Sequence, residues 1–233
     1  MPWQISGDKM KATLLEYMGD DMTVADAARV SFDKRAGDFS PEQNVKLIKY
    51  LADHGHYSPF GHCFASFHVK APVFVRAQLV KHEYLRMNEV SRRYVDTPPE
   101  FYTPEVWRHR ANDKKQGSGK PFLSYDDPLY DGETEKYISM EDLDGCLEDI
   151  HTHAKQQYKF LIDEGVAPEQ ARMVLPQSMY TEWYWSGSLD AFANMAKLRL
   201  KDDTQEETRL IAKQISEQME DKFPVAWKAL LCK

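Results

Sequence analysis

The stretch HGHYSPFGHCFASFHVKAPVFVRAQLVKHEYLRMNEVSRRY, residues 54–94, decides how this chain is read. His54, His56 and His62 surround a Ser58-Pro59-Phe60 core that reads as a turn, because proline lacks the N–H that helix interiors and central strands require. The following HCFASFHVKA alternates apolar with polar residues and is rich in aromatics, which predicts a strand. Pro72 then opens a predicted helix over VFVRAQLVKHEYL. From Gln78 to Tyr94 the chain gathers Lys81, His82, Glu83, Arg86, Asn88, Glu89, Ser91, Arg92 and Arg93. A solvated helix face is the ordinary explanation of such a run. Here the charges begin where the apolar pattern ends. Acceptors and a hydroxyl mixed with three arginines suit an anionic ligand that carries a hydrogen-bonding ring.

Outward from this block, MKATLLEY (residues 10–17) reads as a short strand, and Thr23 is placed to cap a helix over VADAARVSF. Ser40-Pro41-Glu42-Gln43 is a helix start with a reciprocal cap, and that helix stops near Gly55. Residues 108–138 are polar, hold glycines and prolines and lack periodicity, so they are expected to form a long loop insertion. Ser139 is expected to cap a long helix, in which Leu143, Leu147, Ile150, Ala154, Tyr158 and Leu161 follow helical spacing up to Gly165. Pro168 starts PEQARMVLP as a helix, MYTEWYW reads as a strand, and Ser188 starts a helix over LDAFANMAKLRL. Asp202 or Asp203 is expected to cap a last helix, TQEETRLIAKQISEQMEDKF. With no internal repeat and no linker, the expectation is one domain over residues 1–233, of mixed α/β (α+β) class, with strands scattered among more numerous helices.

Composition narrows the function classes. The 233 residues carry 30 Lys+Arg against 37 Asp+Glu, a formal charge of -7, which argues against a protein that coats nucleic acid by bulk charge. Hydrophobic residues make up 42 %, enough to build a core, and no apolar run is long enough to span a bilayer. Three scattered cysteines, Cys63, Cys146 and Cys232, point away from a disulfide framework and towards a reducing cytoplasm.

Two further constellations bear on chemistry. The histidines His54, His56, His62 and His68 invite a metal site, yet they fall on different local structures and lack an acidic ligand at helical spacing. Arg172 and Arg199 lie inside otherwise apolar segments, ARMVLP and MAKLRL. A buried guanidinium requires a partner, which is either a structural carboxylate or an anionic substrate.

The whole string resembles the flavin-dependent thymidylate synthases, the ThyX family. That family shows a His-x-(Ser/Thr)-Pro-Phe-x-His block, here His56 to His62. A second block runs Arg-His-Arg, seven residues and Ser, here Lys81-His82-Glu83 through Ser91, with Asn88, Glu89, Arg93 and Tyr94 in register. Ala171 to Pro176, Thr181 to Trp185, Asn194 and Leu198-Arg199 match the C-terminal family pattern. The resemblance covers roughly residues 10–105 and 165–225.

It implies methylation of dUMP to dTMP, with methylenetetrahydrofolate as carbon donor and NADPH-reduced FAD as hydride source, in a homotetramer. It implies dUMP contacts from Gln78, Glu89, Val90, Ser91, Arg92, Arg93, Arg172 and Arg199. Of these, Arg199 is the catalytic group, whose fixed cation favours ionisation at the ring N3 and enriches C5. For FAD it implies His56, Ser58, Lys81, His82, Glu83, Tyr84, Glu89, Ser188, Asp190 and Asn194. Lys81, Glu83, Asp190 and Gly61 depart from the family residues, and Arg86 and Arg92 are placed to restore the lost charge. The rival expectations are a related enzyme that hydroxymethylates dUMP, a homologue that binds the nucleotide without catalysis, and a histidine-ligated metal hydrolase.

Overall fold

A computed structural model describes residues 10–95, 97–111, 117–121 and 140–232. The elements are β1 (Lys11–Met18), α1 (Asp21–Arg29), α2 (Pro41–Asp53), β2 (Phe64–Pro72), α3 (Val73–Leu79), β3 (Leu85–Glu89), β4 (Arg108–Arg110), β5 (Ser118–Pro121), α4 (Met140–Asp163), α5 (Pro168–Ala171), β6 (Tyr180–Ser188), α6 (Leu189–Arg199), α7 (Glu206–Lys222) and α8 (Pro224–Leu231). The fold is mixed α/β, as expected. The residues gather into two compact units. Of the described residues, the first comprises 10–71, 75–89 and 182–232, and the second 72–74 and those between 90 and 181.

The first unit is built on a four-stranded sheet of order β1-β2-β6-β3, with β1 antiparallel to β2 and β3 antiparallel to β6. Strand alternation sorts its residues by face. Ala65, Phe67 and Val69 of β2 and Trp183 and Trp185 of β6 are buried. Phe192 of α6 meets Phe67 and Trp185 edge-on, at centroid distances of 5.2 and 5.5 Å. The alternate residues are polar and pair across the strands: Ser66 with Ser186 and His68 Nε2 with Glu182 Oε2, each at 2.9 Å. In the second unit, α4 is the long element, and the buried His151 on it stacks on Phe101 and shares a 2.8 Å hydrogen bond with the Ser178 hydroxyl.

The helix start at Ser40 carries the reciprocal Ser40–Gln43 cap that its local sequence predicts, and Gly55 follows that helix at φ +70°. Elsewhere the structure departs from expectation. Thr23 is not the cap of α1. Asp20 is, and Thr23 answers it from the first turn. The helix after Pro72 ends at Leu79 instead of running to Leu85, because residues 85–89 pair with β6 and this pairing overrides local helix preference. The PEQARMVLP helix shortens to α5 and a 3-10 turn at Arg172–Val174. Gln205, not Asp202 or Asp203, precedes α7. Within the 108–138 insertion, β4 and β5 form a two-stranded ribbon, and the remainder, like the Ser139 cap, lies outside the described residues. The helix α8 follows α7 without a counterpart in the sequence reading.

Candidate active site

Three residues that the family resemblance names come together in the first unit. Gln78 is the half-buried penultimate residue of α3, His82 sits in the turn before β3, and Arg199 closes α6. The Arg199 Nε donates to His82 Nε2 at 2.9 Å, and its Nη2 donates to the Gln78 carbonyl oxygen at 3.0 Å. A guanidinium can only donate, so His82 Nε2 must present a lone pair and the ring proton resides on Nδ1. Burial, and after it the Arg199 charge, push His82 down to about 4, which keeps the ring neutral at ordinary pH. Burial also pulls the Arg199 guanidinium below its ordinary value, the mark of a partly desolvated cation. The Gln78 side chain donates to Gln205 Oε1.

The flavin-implied residues of this unit fall on three neighbouring segments. His56 and Ser58 are exposed ahead of the 3-10 turn Phe60–His62, and Tyr50, His54 and His56 stack as an exposed aromatic group. The Leu189 N–H donates to the Cys63 carbonyl at 2.9 Å, which ties the start of α6 to the end of that turn. Ser188 precedes α6 with its hydroxyl unused as a cap, and Asp190 and Asn194, four residues apart, share a helix face. A Cβ on Gly61 would stand 3.9 Å from Asp190 Oδ1, an atom that is buried and has no hydrogen-bond partner among the described residues. Lys81, Glu83 and Tyr84 are exposed in the turn before β3, where Tyr84 takes φ 63°. Glu89 at the end of β3 pairs with Arg76 at 2.8 Å.

These groups fit a flavin in their chemistry. Asp190 Oδ1 is a buried acceptor that requires a donor, which a ring N–H or a ribityl hydroxyl supplies. Lys81 would offer a cation to a phosphate, and Ser58, Ser188 and Asn194 would offer hydroxyl and amide partners.

In the second unit Val90 and Arg93 are exposed, and Ser91 and Arg92 are half-buried. The Ser91 hydroxyl accepts from the Arg93 backbone N–H at 3.3 Å and from its Nε at 3.2 Å, and the Arg93 guanidinium lies 5.0 Å from the centre of the Tyr94 ring. Arg92 donates to the Thr97 carbonyl oxygen, so it is engaged locally. Arg172 is exposed on its 3-10 turn, which corrects the expectation of a guanidinium buried in apolar surroundings. Sequence reasoning passed over Arg76 and Gln205, the partners of Glu89 and Gln78. Their types are unremarkable and their pairings are long-range.

Residues 13–225 match the family described as thymidylate synthase complementing protein. The flavin-dependent thymidylate synthase of Kosmotoga olearia is 40 % identical over 218 residues, covering 94 % of this chain and 88 % of that protein. The enzyme of the same name from Thermus thermophilus is 37 % identical over 222 residues, covering 95 % and 76 %. Among solved structures, the UMP/dUMP methylase PolB of Streptomyces cacaoi bound with 5-Br dUMP matches with a TM-score of 0.76 at 27 % identity, over 96 % of this chain and 95 % of that one. The chain belongs to the flavin-dependent thymidylate synthase family.

Proposed function

We propose that this chain methylates dUMP at C5 to give dTMP, with methylenetetrahydrofolate as carbon donor and NADPH-reduced FAD, in a cytoplasmic homotetramer. The observation that carries the reading is the held guanidinium of Arg199. Two of its N–H groups are committed to His82 and Gln78, and three of the five donors of an arginine remain for a ligand. A fixed, partly desolvated cation beside a uracil stabilises negative charge on the ring, so the N3 proton leaves more readily and C5 becomes the electron-rich carbon. No cysteine stands among the residues assigned to the nucleotide or the flavin; Cys63, beside His62, is buried, with its thiol pushed up to about 12 by burial.

Arg93 and Arg172 are assigned to the phosphate, where exposed guanidinium forks suit its oxygens. Ser91 orients Arg93 by accepting its Nε–H, and Gln78, Glu89, Val90 and Arg92 complete the nucleotide set. His56, Ser58, Lys81, His82, Glu83, Tyr84, Glu89, Ser188, Asp190 and Asn194 would hold the flavin. When bound and reduced, FAD supplies the hydride that completes the new methyl group. The exposed thiols of Cys146 and Cys232 suit a reducing cytoplasm, and no helix among the described residues is long and apolar enough to cross a membrane.

The similarity to a UMP/dUMP methylase favours one second reading, in which the ribonucleotide is also accepted. Purified protein given FAD, NADPH, methylenetetrahydrofolate and either dUMP or UMP, with products resolved by mass spectrometry, separates the two. The expected result is a nucleotide heavier than dUMP by one methylene. A hydroxymethyl mass, or dUMP binding with no turnover, overturns the assignment.

A further inference from the structure

We infer that His82 is a positioning residue for Arg199: its Nε2 lone pair locks the plane of the guanidinium that faces the pyrimidine. This role rests on the dUMP activity proposed above and goes beyond it. Two acceptors define the guanidinium plane. His82 Nε2 takes the Nε–H at 2.9 Å, and the Gln78 carbonyl takes one Nη2–H at 3.0 Å. One acceptor alone would leave the group free to swing about that contact, and two on different guanidinium nitrogens remove the freedom. Arg199 is the last residue of α6, so its backbone is held by the helix and its long side chain is the part that needs fixing. The Gln78 carbonyl is itself steadied, since the Gln78 side chain is held by Gln205 at the entry to α7.

The hydrogen bond imposes a protonation state on His82. With Nε2 accepting, the proton sits on Nδ1, and only the Nδ1–H is left to meet a ligand. Burial and the neighbouring Arg199 charge both oppose a second proton, so the acceptor persists at neutral pH. The alternative is a histidine that serves the flavin alone and has no part in fixing Arg199. That role leaves Arg199 indifferent to the substitution of His82, provided the flavin is saturating.

The test compares His82→Gln and His82→Phe with the unchanged protein, all loaded with FAD. The Gln side-chain oxygen reaches towards the place of Nε2 and accepts; Phe fills the volume and cannot. Four quantities are read: FAD affinity from quenching of flavin fluorescence, dUMP affinity by calorimetry, and kcat and KM for dUMP at saturating FAD. Misplacement of a catalytic group by about 1 Å costs up to about 100-fold in rate. The expected result for His82→Phe is therefore a kcat at saturating FAD lower by about 10- to 100-fold, beyond any weakening of FAD affinity from the lost Nδ1–H. The His82→Gln protein is expected to recover most of that loss. Equal kcat in the two variants overturns the inference, as does loss of FAD affinity in both with an unchanged kcat once flavin is saturating. In either case dTMP formation by the unchanged protein leaves the dUMP activity standing. An unchanged protein that forms no dTMP and binds no dUMP brings both down.

Discussion

At the residue scale, this site depends on geometry more than on charge. Arg199→Lys keeps a cation at the end of α6 but loses the planar fork, so it cannot donate to His82 Nε2 and the Gln78 carbonyl together while presenting further N–H groups. The expected outcome is a fall in kcat/KM for dUMP of roughly 100-fold, the scale on which preorganised donors act in enzymes, with FAD binding retained. Steady-state kinetics checks it, and a lysine variant within a few-fold of the parent shows that bare charge suffices. The family string made Gln78, His82 and Arg199 visible as separate positions. Their mutual contact was not legible, because it joins residues more than 110 positions apart. Arg172 shows the opposite failure. Its apolar neighbours in sequence suggested burial, yet the segment is a 3-10 turn with Met173 77 % exposed, so neighbours in sequence were not neighbours in packing.

At the element scale, distant side chains complete secondary structure. The edge strand β1 is capped by two glutamines of α7. Gln214 Oε1 accepts from the Ala12 N–H at 2.7 Å while its Nε2 donates to the Met10 carbonyl, and Gln218 repeats the pattern on Leu14 and Ala12. The amides imitate a neighbouring strand and satisfy an edge that would otherwise be open to other chains. The helix α8 depends on a similar device. Its first N–H groups lack a local cap, and Asp21 at the start of α1 accepts from Val225 at 2.9 Å and Ala226 at 2.8 Å. Asp21→Ala removes both charge-assisted bonds and is expected to cost about 1–2 kcal/mol, read as a lower urea midpoint by circular dichroism. An unchanged midpoint means the carboxylate does not stabilise α8. This is why α8 escaped the sequence reading while the helix at Ser40 did not. The Ser40–Gln43 cap is local and spelled out in four consecutive letters, whereas the cap of α8 stands some 200 residues upstream. The truncation of α3 has the same origin, since LRMNE becomes a strand through its partner β6 and not through its own composition.

At the scale of the whole molecule, three buried titratable groups among the described residues contribute to the pH dependence of stability, and they do so without reference to any ligand. His82, in the first unit, and His151, in the second, are both lowered, each chiefly by burial and then by a nearby cation, Arg199 and Lys155 respectively. Their unfolded forms take up a proton near 6.5, whereas folded His82 resists until about 4. As pH falls below 6.5 the unfolded chain therefore binds protons that the folded chain refuses, and stability declines through that window. The thiol of Cys63 acts at the other end. Burial, with the Asp20 and Asp21 charges, raises it from 9.0 to about 12, so above 9.0 the unfolded chain loses a proton that the folded chain keeps, and stability declines again. The expected profile is a plateau between about 6.5 and 9.0 with a fall on each side, measured as urea midpoints across pH. Each limb can be assigned. Cys63→Ala lowers the alkaline fall without touching the acid side, and His82→Gln removes its share of the acid side while His151 keeps its own. An alkaline limb that survives Cys63→Ala undiminished belongs to groups other than this thiol, and removes the burial of Cys63 as its cause.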